Sequence, residues 1–475
     1  MTDDRAERTR AQWLDTLARF RRDPDAPGSS EHWSPSLDCA SRDELRAIQD
    51  AKLAALTPFL YENSAFYRGR FDRLGLLPTD IRSVDDLSKW PVVDKAEMMV
   101  DVQATPPYGT YTTHDDALWK TRGWMMFSSS GSTGVPRPFR YSQLDRELWA
   151  WANARALHAC GFRRDDSALV CAGYGPHVFA WGVQFALAKM GVACIPGGGM
   201  TGEARAMLVD RFRPTILVGT PSYALHLGRV MAERGLDPAA SSVRTVLVGG
   251  EPAAGIAGTR QRLEALWGAR LVEFYGCTEA SPHCGGYSCP ASDAPGGPVT
   301  THLMEDVQVW ELVDPERQQR VDEGGRGLTV CTSLNSESSP QLRFLVGDYS
   351  VFTTKACACG RTHVRALGAF AGRADDLLNL RGVKMYPVQL EEAVRAVPGI
   401  GDEYEIVLAT SAAGLDVMTA RVEHADRSIA DQVAREIQAR CEVRCDVEVL
   451  VPGTLPKTEF KARRVRDTRR ASGGS

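Results

Sequence analysis

The stretch Phe127-Ser-Ser-Ser-Gly-Ser-Thr-Gly-Val-Pro-Arg137 crowds three consecutive serines, two glycines and a threonine into positions 128–135. Glycines let a backbone turn tightly and present N–H groups, and hydroxyls add donors, so such a loop suits phosphate oxygens. A plain Ser/Gly turn has the same composition, and the residues alone leave both readings open. A Walker A loop is excluded, because no Gly-Lys-Ser/Thr follows at the required spacing. A second cluster is Cys357-Ala-Cys359-Gly-Arg-Thr-His363, with His283, Cys284, Cys289 and His302 upstream. Closed structural zinc sites take four Cys or His ligands, so metal binding competes with a reading as unrelated reduced thiols.

These residues need elements to hold them. From residue 140 the pattern alternates. Helices are expected at 144–158, 178–190, 203–212, 222–234 and 258–267, and short apolar strands at 167–171, 192–196, 215–219, 245–248 and 271–275. Alternation at this rate implies βαβ units and a parallel sheet. The segments Gly173-Tyr-Gly175, Gly197-Gly-Gly199, Gly249-Gly-Glu251 and Tyr275-Gly-Cys277 all follow strands, the position at which such sheets bind ligands. Beyond residue 300 the pattern turns to β, with strands at 307–312, 327–332 and 342–344. A polar, Gly-containing boundary lies at 372–377. After it, helices at 387–397 and 429–440 and strands at 403–409, 416–422 and 447–451 describe a smaller α+β unit. Residues 1–50 read as surface helices on a larger body, with disorder expected in the first few residues and in the tail from 469.

The chain has 475 residues, 43% of them hydrophobic and 24% charged, which suits a soluble protein of two or three domains. A net charge of −4 points neither to nucleic acid nor to an anionic membrane. The start, Met-Thr-Asp-Asp-Arg-Ala-Glu-Arg, has no apolar core, so no signal peptide is expected, and no apolar run approaches the ~20 residues of a membrane span. Twelve cysteines in such a chain are expected to be reduced or metal-bound rather than paired.

Several motifs then fall in a recognisable order. The loop Ser129-Ser-Gly-Ser-Thr-Gly-Val-Pro136, Thr220-Pro-Ser-Tyr-Ala-Leu225, Gly250-Glu-Pro252, Tyr275-Gly-Cys-Thr-Glu279, Leu342-Arg-Phe with Gly347-Asp348, Gly372-Arg-Ala-Asp-Asp376 with Arg381-Gly-Val383, and Leu455-Pro-Lys-Thr-Glu-Phe-Lys461 together resemble the adenylate-forming superfamily of acyl-CoA synthetases, adenylation domains and luciferases. Asn63-Ser-Ala-Phe-Tyr-Arg68 and Trp90-Pro-Val-Val-Asp-Lys95 resemble its phenylacetate-CoA ligase group more closely. Coverage runs from about residue 50 to about 467.

The resemblance implies an α/β fold. A large N-terminal domain (1–373) with parallel βαβ sheets and a β-rich portion would bind ATP and acid, and a small mobile α+β domain (374–475) would carry a catalytic lysine. It implies that an aromatic carboxylate is activated by ATP as an acyl-adenylate and passed to CoA. The carboxylate is already ionised, so the step needs positioning and charge neutralisation rather than a general base. Ser129, Ser130, Gly131, Ser132, Thr133 and Gly134 would hold phosphates. Val135 stands where a lysine is usual, with Arg137 or Arg140 as candidate replacements. Gly250, Glu251, Pro252, Tyr275, Gly276 and Arg373 would complete the ATP site, with Tyr275 against adenine and Asp348 on the ribose hydroxyls. Leu345-Val346 replaces an expected Arg-Thr. Glu279 would bind Mg²⁺, Thr278 would lie near the α-phosphate, and Lys461 would bridge the α-phosphate and the carboxylate. Asp375 matches the hinge. The acid pocket would draw on Tyr174, His177, Phe179, Trp181, Gly198, Gly199 and Tyr223. Zinc would sit on Cys289, His302, Cys357 and Cys359, with His363 and Cys284 in reserve.

The expected partners are a small aryl acid and CoA in the cytoplasm, with no nucleic acid and no membrane. A carrier protein as acceptor, a homodimer, nitrite-dependent diazotisation of an aryl amine, and a non-catalytic binding homologue are the alternatives.

Overall fold

The computed structural model describes residues 2–21, 27, 29, 31–129, 136–251, 256–280, 285–289, 291, 300–368, 370, 372, 376–381, 383–411, 415–458 and 464–469. Of the residues singled out above, Ser130, Gly131, Ser132, Thr133, Gly134, Val135, Pro252, His283, Cys284, Arg373, Asp375, Gly382, Phe460 and Lys461 lie outside these. The chain forms two compact units, Met1–Gly199 with Val272–Phe370, and Met200–Leu271 with Ala371–Ser475.

In the first unit, helix Thr2–Phe20 begins where disorder was expected. Its apolar stripe explains this. Trp13, Leu17 and Phe20 are buried, Trp13 stacks on Phe59 at 5.0 Å, and its indole N–H donates to the Leu334 carbonyl at 3.1 Å. An amphipathic stripe that packs this deeply outweighs the fraying typical of termini. Helix Arg42–Asn63 starts at a capping box, with Ser41 and Glu44 satisfying each other's backbone N–H groups. Arg155 then bridges Asp38 and Asp306, all three buried, which ties the N-terminal segment to the β-rich region.

That β-rich region runs in the order Gln308–Val313, Arg326–Ser333, Phe344–Thr353, Arg365–Leu367, Thr300–Leu303, Gly286–Tyr287, Arg270–Tyr275, with every neighbour antiparallel. The strand expected at 342–344 is Phe344–Thr353 instead. Gly347-Asp348 reads as a break in the sequence, yet it is a bulge within the strand. The register shifts opposite Leu328 and Val330, and Gly347 takes φ +88°. A bulge re-aims a side chain without ending the strand, and here that side chain is Asp348. The strands Gly286–Tyr287, Thr300–Leu303 and Arg365–Leu367 are too short to leave a periodic signal. A separate hairpin pairs Gly123–Ser129 with Arg137–Ser142, and Ser167–Val170 pairs parallel with Ala193–Pro196 beside helices Gln143–Ala159 and Val178–Met190.

In the second unit, the parallel pair Ile216–Gly219 and Thr245–Val248 is accompanied by helices Gly202–Phe212, Pro221–Glu233 and Ala257–Trp267. Thr220 caps the middle helix and Pro221 occupies its first turn, where a missing N–H costs nothing. The C-terminal segment builds its own four-stranded sheet in the order Asp446–Leu450, Asp416–Glu423, Tyr404–Thr410, Val465–Asp467. Its apolar core includes residues of helices Pro387–Arg395 and Ala430–Cys441. Among the described residues, no helix is long and apolar enough to cross a membrane.

Candidate functional site

The Ser/Gly loop joins the two strands of the hairpin. Its ends are held together by the pairing Ser129↔Arg137, and Ser128 donates its N–H to the Pro176 carbonyl at 2.8 Å. The loop base is therefore fixed against the Gly173–His177 turn. Arg137, only 5% exposed, forms an ion pair with Glu279, itself 6% exposed. Its Nε has no partner among the described residues. Arg140 turns elsewhere. It binds the His114 carbonyl and Asp116 and lies over the Tyr108 ring at 3.6 Å. Of the two cations considered for the position vacated by lysine, Arg137 alone reaches Glu279.

The turn carrying Glu279 is clamped on both sides. Tyr141 donates its hydroxyl to the Thr278 carbonyl at 2.6 Å, and Gln308 Nε2 donates to the Ala280 carbonyl at 2.6 Å. Four residues before Glu279, the Tyr275 hydroxyl donates to Asp348, whose own N–H donates to Thr329 Oγ1 at 3.1 Å. Tyr275 stacks face to face on Phe370, with ring centroids 3.4 Å apart and planes at 11°. Phe370 was not anticipated. A single aromatic ahead of Gly372 carries no periodic signal. The Leu345-Val346 departure is accounted for by the strand, where Leu345 pairs with Val330 and Val346 is buried. Arg343 is a framework residue, donating to Glu311 at 3.2 Å and to the Trp90 carbonyl at 2.7 Å.

Among the pocket candidates, Tyr174 meets Trp181 edge-on at 5.1 Å, and Trp181 donates its indole N–H to the Gly175 carbonyl at 3.0 Å. The aromatic chain continues through Phe185 to Trp124 and Phe127 on strand Gly123–Ser129. Phe179 faces Phe274 at 6.5 Å, and His177 is exposed at the start of its helix. Gly198 is required by close approach, since a Cβ there would come within 2.4 Å of the Tyr174 ring. Gly199 takes φ +78°. In the second unit, Tyr223 is buried under the Arg205 guanidinium, Gly250 takes φ +83°, and Glu251 accepts from the Ser222 hydroxyl at 2.5 Å.

The four expected metal ligands converge. The ligand atoms of Cys289, His302, Cys357 and Cys359 all lie within 4.8 Å of one another. Cys289 Sγ is 3.5 Å from His302 Nε2 and 3.8 Å from Cys357 Sγ, and Cys359 Sγ is 3.4 Å from His302 Nε2. Tetrahedral coordination with Zn–S of ~2.3 Å and Zn–N of ~2.0–2.1 Å requires S···S near ~3.8 Å and S···N near ~3.6 Å, so the donor set fits zinc. Strand register places His302 opposite Tyr287 on one side and Arg365 on the other, and Gly360, at φ +79°, closes the Cys357–Gly360 turn. Burial keeps the His302 imidazole neutral, as a ligand must be. Hydrogen bonds from Cys289 and Cys357 act to lower the Cys359 thiol's pKa. His363 is no reserve ligand. Its Nδ1 accepts from the Glu305 N–H at 3.0 Å and its Nε2 donates to the Leu37 carbonyl at 2.9 Å.

A buried acid and cation beside a hydroxyl-rich hairpin, with Tyr275 and Asp348 brought together from strands Arg270–Tyr275 and Phe344–Thr353, suit a nucleotide-activating enzyme, and comparison with known proteins agrees. Residues 85–333 match the family model described as AMP-binding enzyme, and residues 382–469 match the AMP-binding enzyme C-terminal domain. The chain belongs to the AMP-binding enzyme family. It is an AMP-forming acid–thiol ligase of the α/β adenylate-forming type, and the relatives it resembles are phenylacetate-CoA ligases. It is 32% identical to phenylacetate-coenzyme A ligase of Thermus thermophilus over 461 residues, covering 92% of this chain and all of the relative. The Escherichia coli K12 phenylacetate-coenzyme A ligase is 29% identical, with 92% and 98% covered. Among solved structures, 2-hydroxyisobutyryl-CoA ligase in its postadenylation state with 2-HIB-AMP matches with a TM-score of 0.87 at 27% identity, covering 96% of each chain. The same ligase in its thioesterification state with CoA matches at 0.70 and 28% identity, covering 94% of each.

Proposed function

We propose that this protein joins an aryl carboxylic acid to the α-phosphate of ATP, releasing pyrophosphate, and then passes the acyl group from AMP to the thiol of CoA. The observation that carries the reading is the buried Arg137–Glu279 pair at the root of the hydroxyl-rich hairpin. A charged pair this dry is costly unless a function retains it. ATP binding supplies one, because phosphate oxygens compete for the guanidinium and free the carboxylate.

In this reading Ser129 and the loop after it hold phosphates, and Arg137 offsets the charge of the leaving pyrophosphate. Glu279 offers the hard carboxylate oxygen that Mg²⁺ prefers, and the ion would neutralise phosphate charge when bound. Asp348 exchanges the Tyr275 hydroxyl for the ribose diol, while Tyr275, backed by Phe370, faces the adenine. Tyr174, Phe179 and Trp181 supply apolar walls suited to a flat ring. Lys461 neutralises the charge that builds as carboxylate and α-phosphate meet. After adenylation the C-terminal segment turns about Asp375, withdrawing Lys461 and bringing the Arg381-Gly-Val383 loop toward the acyl group for attack by the thiol. Cys289, His302, Cys357 and Cys359 hold zinc in a structural role. The described cysteines are all free, which supports a reducing compartment such as the cytoplasm.

The test is AMP formation from Mg-ATP and a panel of aryl acids, with and without CoA. AMP and acyl-CoA appearing together with an aryl acid is the expected result. Turnover only with a carrier-protein thiol, or only with nitrite and an aryl amine, would replace CoA ligation with those chemistries. No AMP under any condition would reduce the protein to a binding homologue.

A further inference from the structure

Two buried carboxyl groups, those of Glu337 and Asp145, meet at the end of the hairpin, where the Glu337 N–H donates to Asp145 Oδ1 at 2.6 Å. Asp145 Oδ2 accepts from the Ser338 N–H at 3.0 Å and from the Ser142 N–H at 2.9 Å. Glu337 Oε2 accepts from the Ser142 hydroxyl, and Ser339 donates its hydroxyl to the Arg140 carbonyl at 2.8 Å. Residues 337–339 therefore hold the second half of strand Arg137–Ser142, whose first residue makes the ion pair with Glu279.

The charges around the two acids come from four elements. Arg10, on helix Thr2–Phe20, donates from Nε to Glu337 Oε1 at 2.6 Å, and its terminal nitrogen lies 2.5 Å from the same oxygen. His114 Nε2 is 3.9 Å from Glu337 Oε2, but burial pushes the imidazole down to about 4, so it brings no charge at neutral pH. Arg140 is directed to the His114 carbonyl and Asp116, and Arg122 to Glu7. Among the described residues, Arg10 is the one cation bonded to either acid. Burial, and after it the charge of Glu337, pushes the Asp145 carboxyl up to about 6.

We infer that Arg10 is a positioning residue for the nucleotide site: its guanidinium is the counter-charge that lets Glu337 and Asp145 stand side by side and hold the hairpin in place. The inference rests on the reading of that hairpin as the ATP site. Like charges repel strongly away from water, and a buried acid that loses its partner is left uncompensated. Without Arg10 the two acids must separate or take up a proton. Separation shifts Ser142 and Arg140. Pairing from Gly123↔Ser142 to Ser129↔Arg137 joins the two strands, so a shift at Ser142 reaches Ser129 and Arg137. The N-terminal helix thus acts on the phosphate loop through one charge. Its Trp13 bond to the Leu334 carbonyl seats it on the same stretch of chain, three residues before Glu337.

The pH dependence has a definite sign. The raised Asp145 carboxyl costs stability when ionised, above about pH 6, and that cost vanishes as pH falls through 6. Losing Arg10 adds to the cost of the ionised pair. The deficit of an Arg10 variant is therefore largest at high pH and shrinks in acid, where a proton takes the place of the guanidinium.

The experiment measures Tm, kcat and KM for Mg-ATP at pH 8 and pH 5.5 in wild type, Arg10→Met, Glu337→Gln and the double variant. Arg10→Met should raise KM at pH 8 by about tenfold with kcat within about twofold. At pH 5.5 its KM and Tm should both approach wild type. In the Glu337→Gln background, removing Arg10 should change neither, because the charge it answers is gone. An unchanged KM in folded Arg10→Met, with or without a lower Tm, would overturn the inference, as would a rise of equal size at both pH values. If Arg10→Met does not fold, Glu337→Gln against the double variant decides, and a further rise in KM there overturns it. If the wild type neither binds nor uses Mg-ATP, the proposed function fails and the positioning role with it, while the Tm values still read the charge pairing by themselves.

Discussion

Around Cys289, four potential ligand atoms from three stretches of chain lie at metal-binding distances from one another. Around Glu279, the reverse holds: Arg137 covers the carboxylate, and Tyr275 covers Asp348. In the proposed function, the first centre holds an ion that stays, and the second, satisfied by the protein itself, exchanges partners for a nucleotide that comes and goes. The difference follows from charge. Three thiolates and an imidazole packed together are stable only if a cation joins them, and without one the thiolates must take up protons. An acid and a guanidinium neutralise each other and can wait. The lesson is that a converging donor set marks a resident ion, whereas a turnover site shows itself through buried pairs whose members have more than one use.

Four experiments test this contrast. The largest effect is expected from Lys461→Ala, which should lower adenylate formation by roughly 10³-fold. Conversion of supplied acyl-adenylate by CoA and the metal content should both stay close to wild type, and equal loss in both half-reactions would refute the role. Next, Cys357→Ser should reduce zinc to well under half an equivalent per chain by elemental analysis and lower Tm by on the order of 10 °C. Activity should fall only as far as the folded fraction does. A metal-free wild-type protein with an unchanged Tm would remove the resident-ion side of the comparison.

Third, Arg137→Ala should reduce ATP–pyrophosphate exchange by about 10²-fold. Arg140→Ala should instead lower stability through its lost contacts with Tyr108 and Asp116 and spare the balance between half-reactions. Equivalent kinetics for the two variants would dissolve the distinction between them. The smallest effect belongs to Tyr275→Phe, which removes only the hydroxyl that occupies Asp348. With the ribose diol as competitor for that carboxylate, KM for ATP should change by no more than about threefold, while Asp348→Asn should raise it by roughly tenfold. A Tyr275→Phe effect as large as that of Asp348→Asn would mean the hydroxyl is part of the nucleotide contact and not a stand-in for it.

The helix–strand alternation from 144 to 275 was legible because each helix is long enough to show its period and the short strands between them are apolar runs, and the observed helices Gln143–Ala159 and Val178–Met190 lie within a residue or so of the pattern. The β-rich region was read only in part. Strands of two to four residues show no period, and the bulge at Gly347 looks like a strand end. Within the candidate site, Glu279, Asp348 and Tyr275 could be named because each belongs to a short ordered motif, and the expected metal ligands Cys289, His302, Cys357 and Cys359 came from the family resemblance. Phe370 and Glu337 could not be named, since each is a single residue in an unremarkable context whose role comes from neighbours remote in sequence.

Residue types, local periodicity and motif order were enough to specify an adenylate-forming chain and to single out its hydroxyl-rich loop, Glu279 and the cysteine cluster. Those properties are local, carried by the chemistry of a few adjacent side chains. The choice of Arg137 over Arg140, the Tyr275–Asp348 bond, the exclusion of His363 from the metal cluster and the meeting of Arg10 with Glu337 belonged to the tertiary structure alone. Arg137 and Glu279 are 142 residues apart, and strand register and packing, not sequence spacing, decide which long side chain spans such a gap.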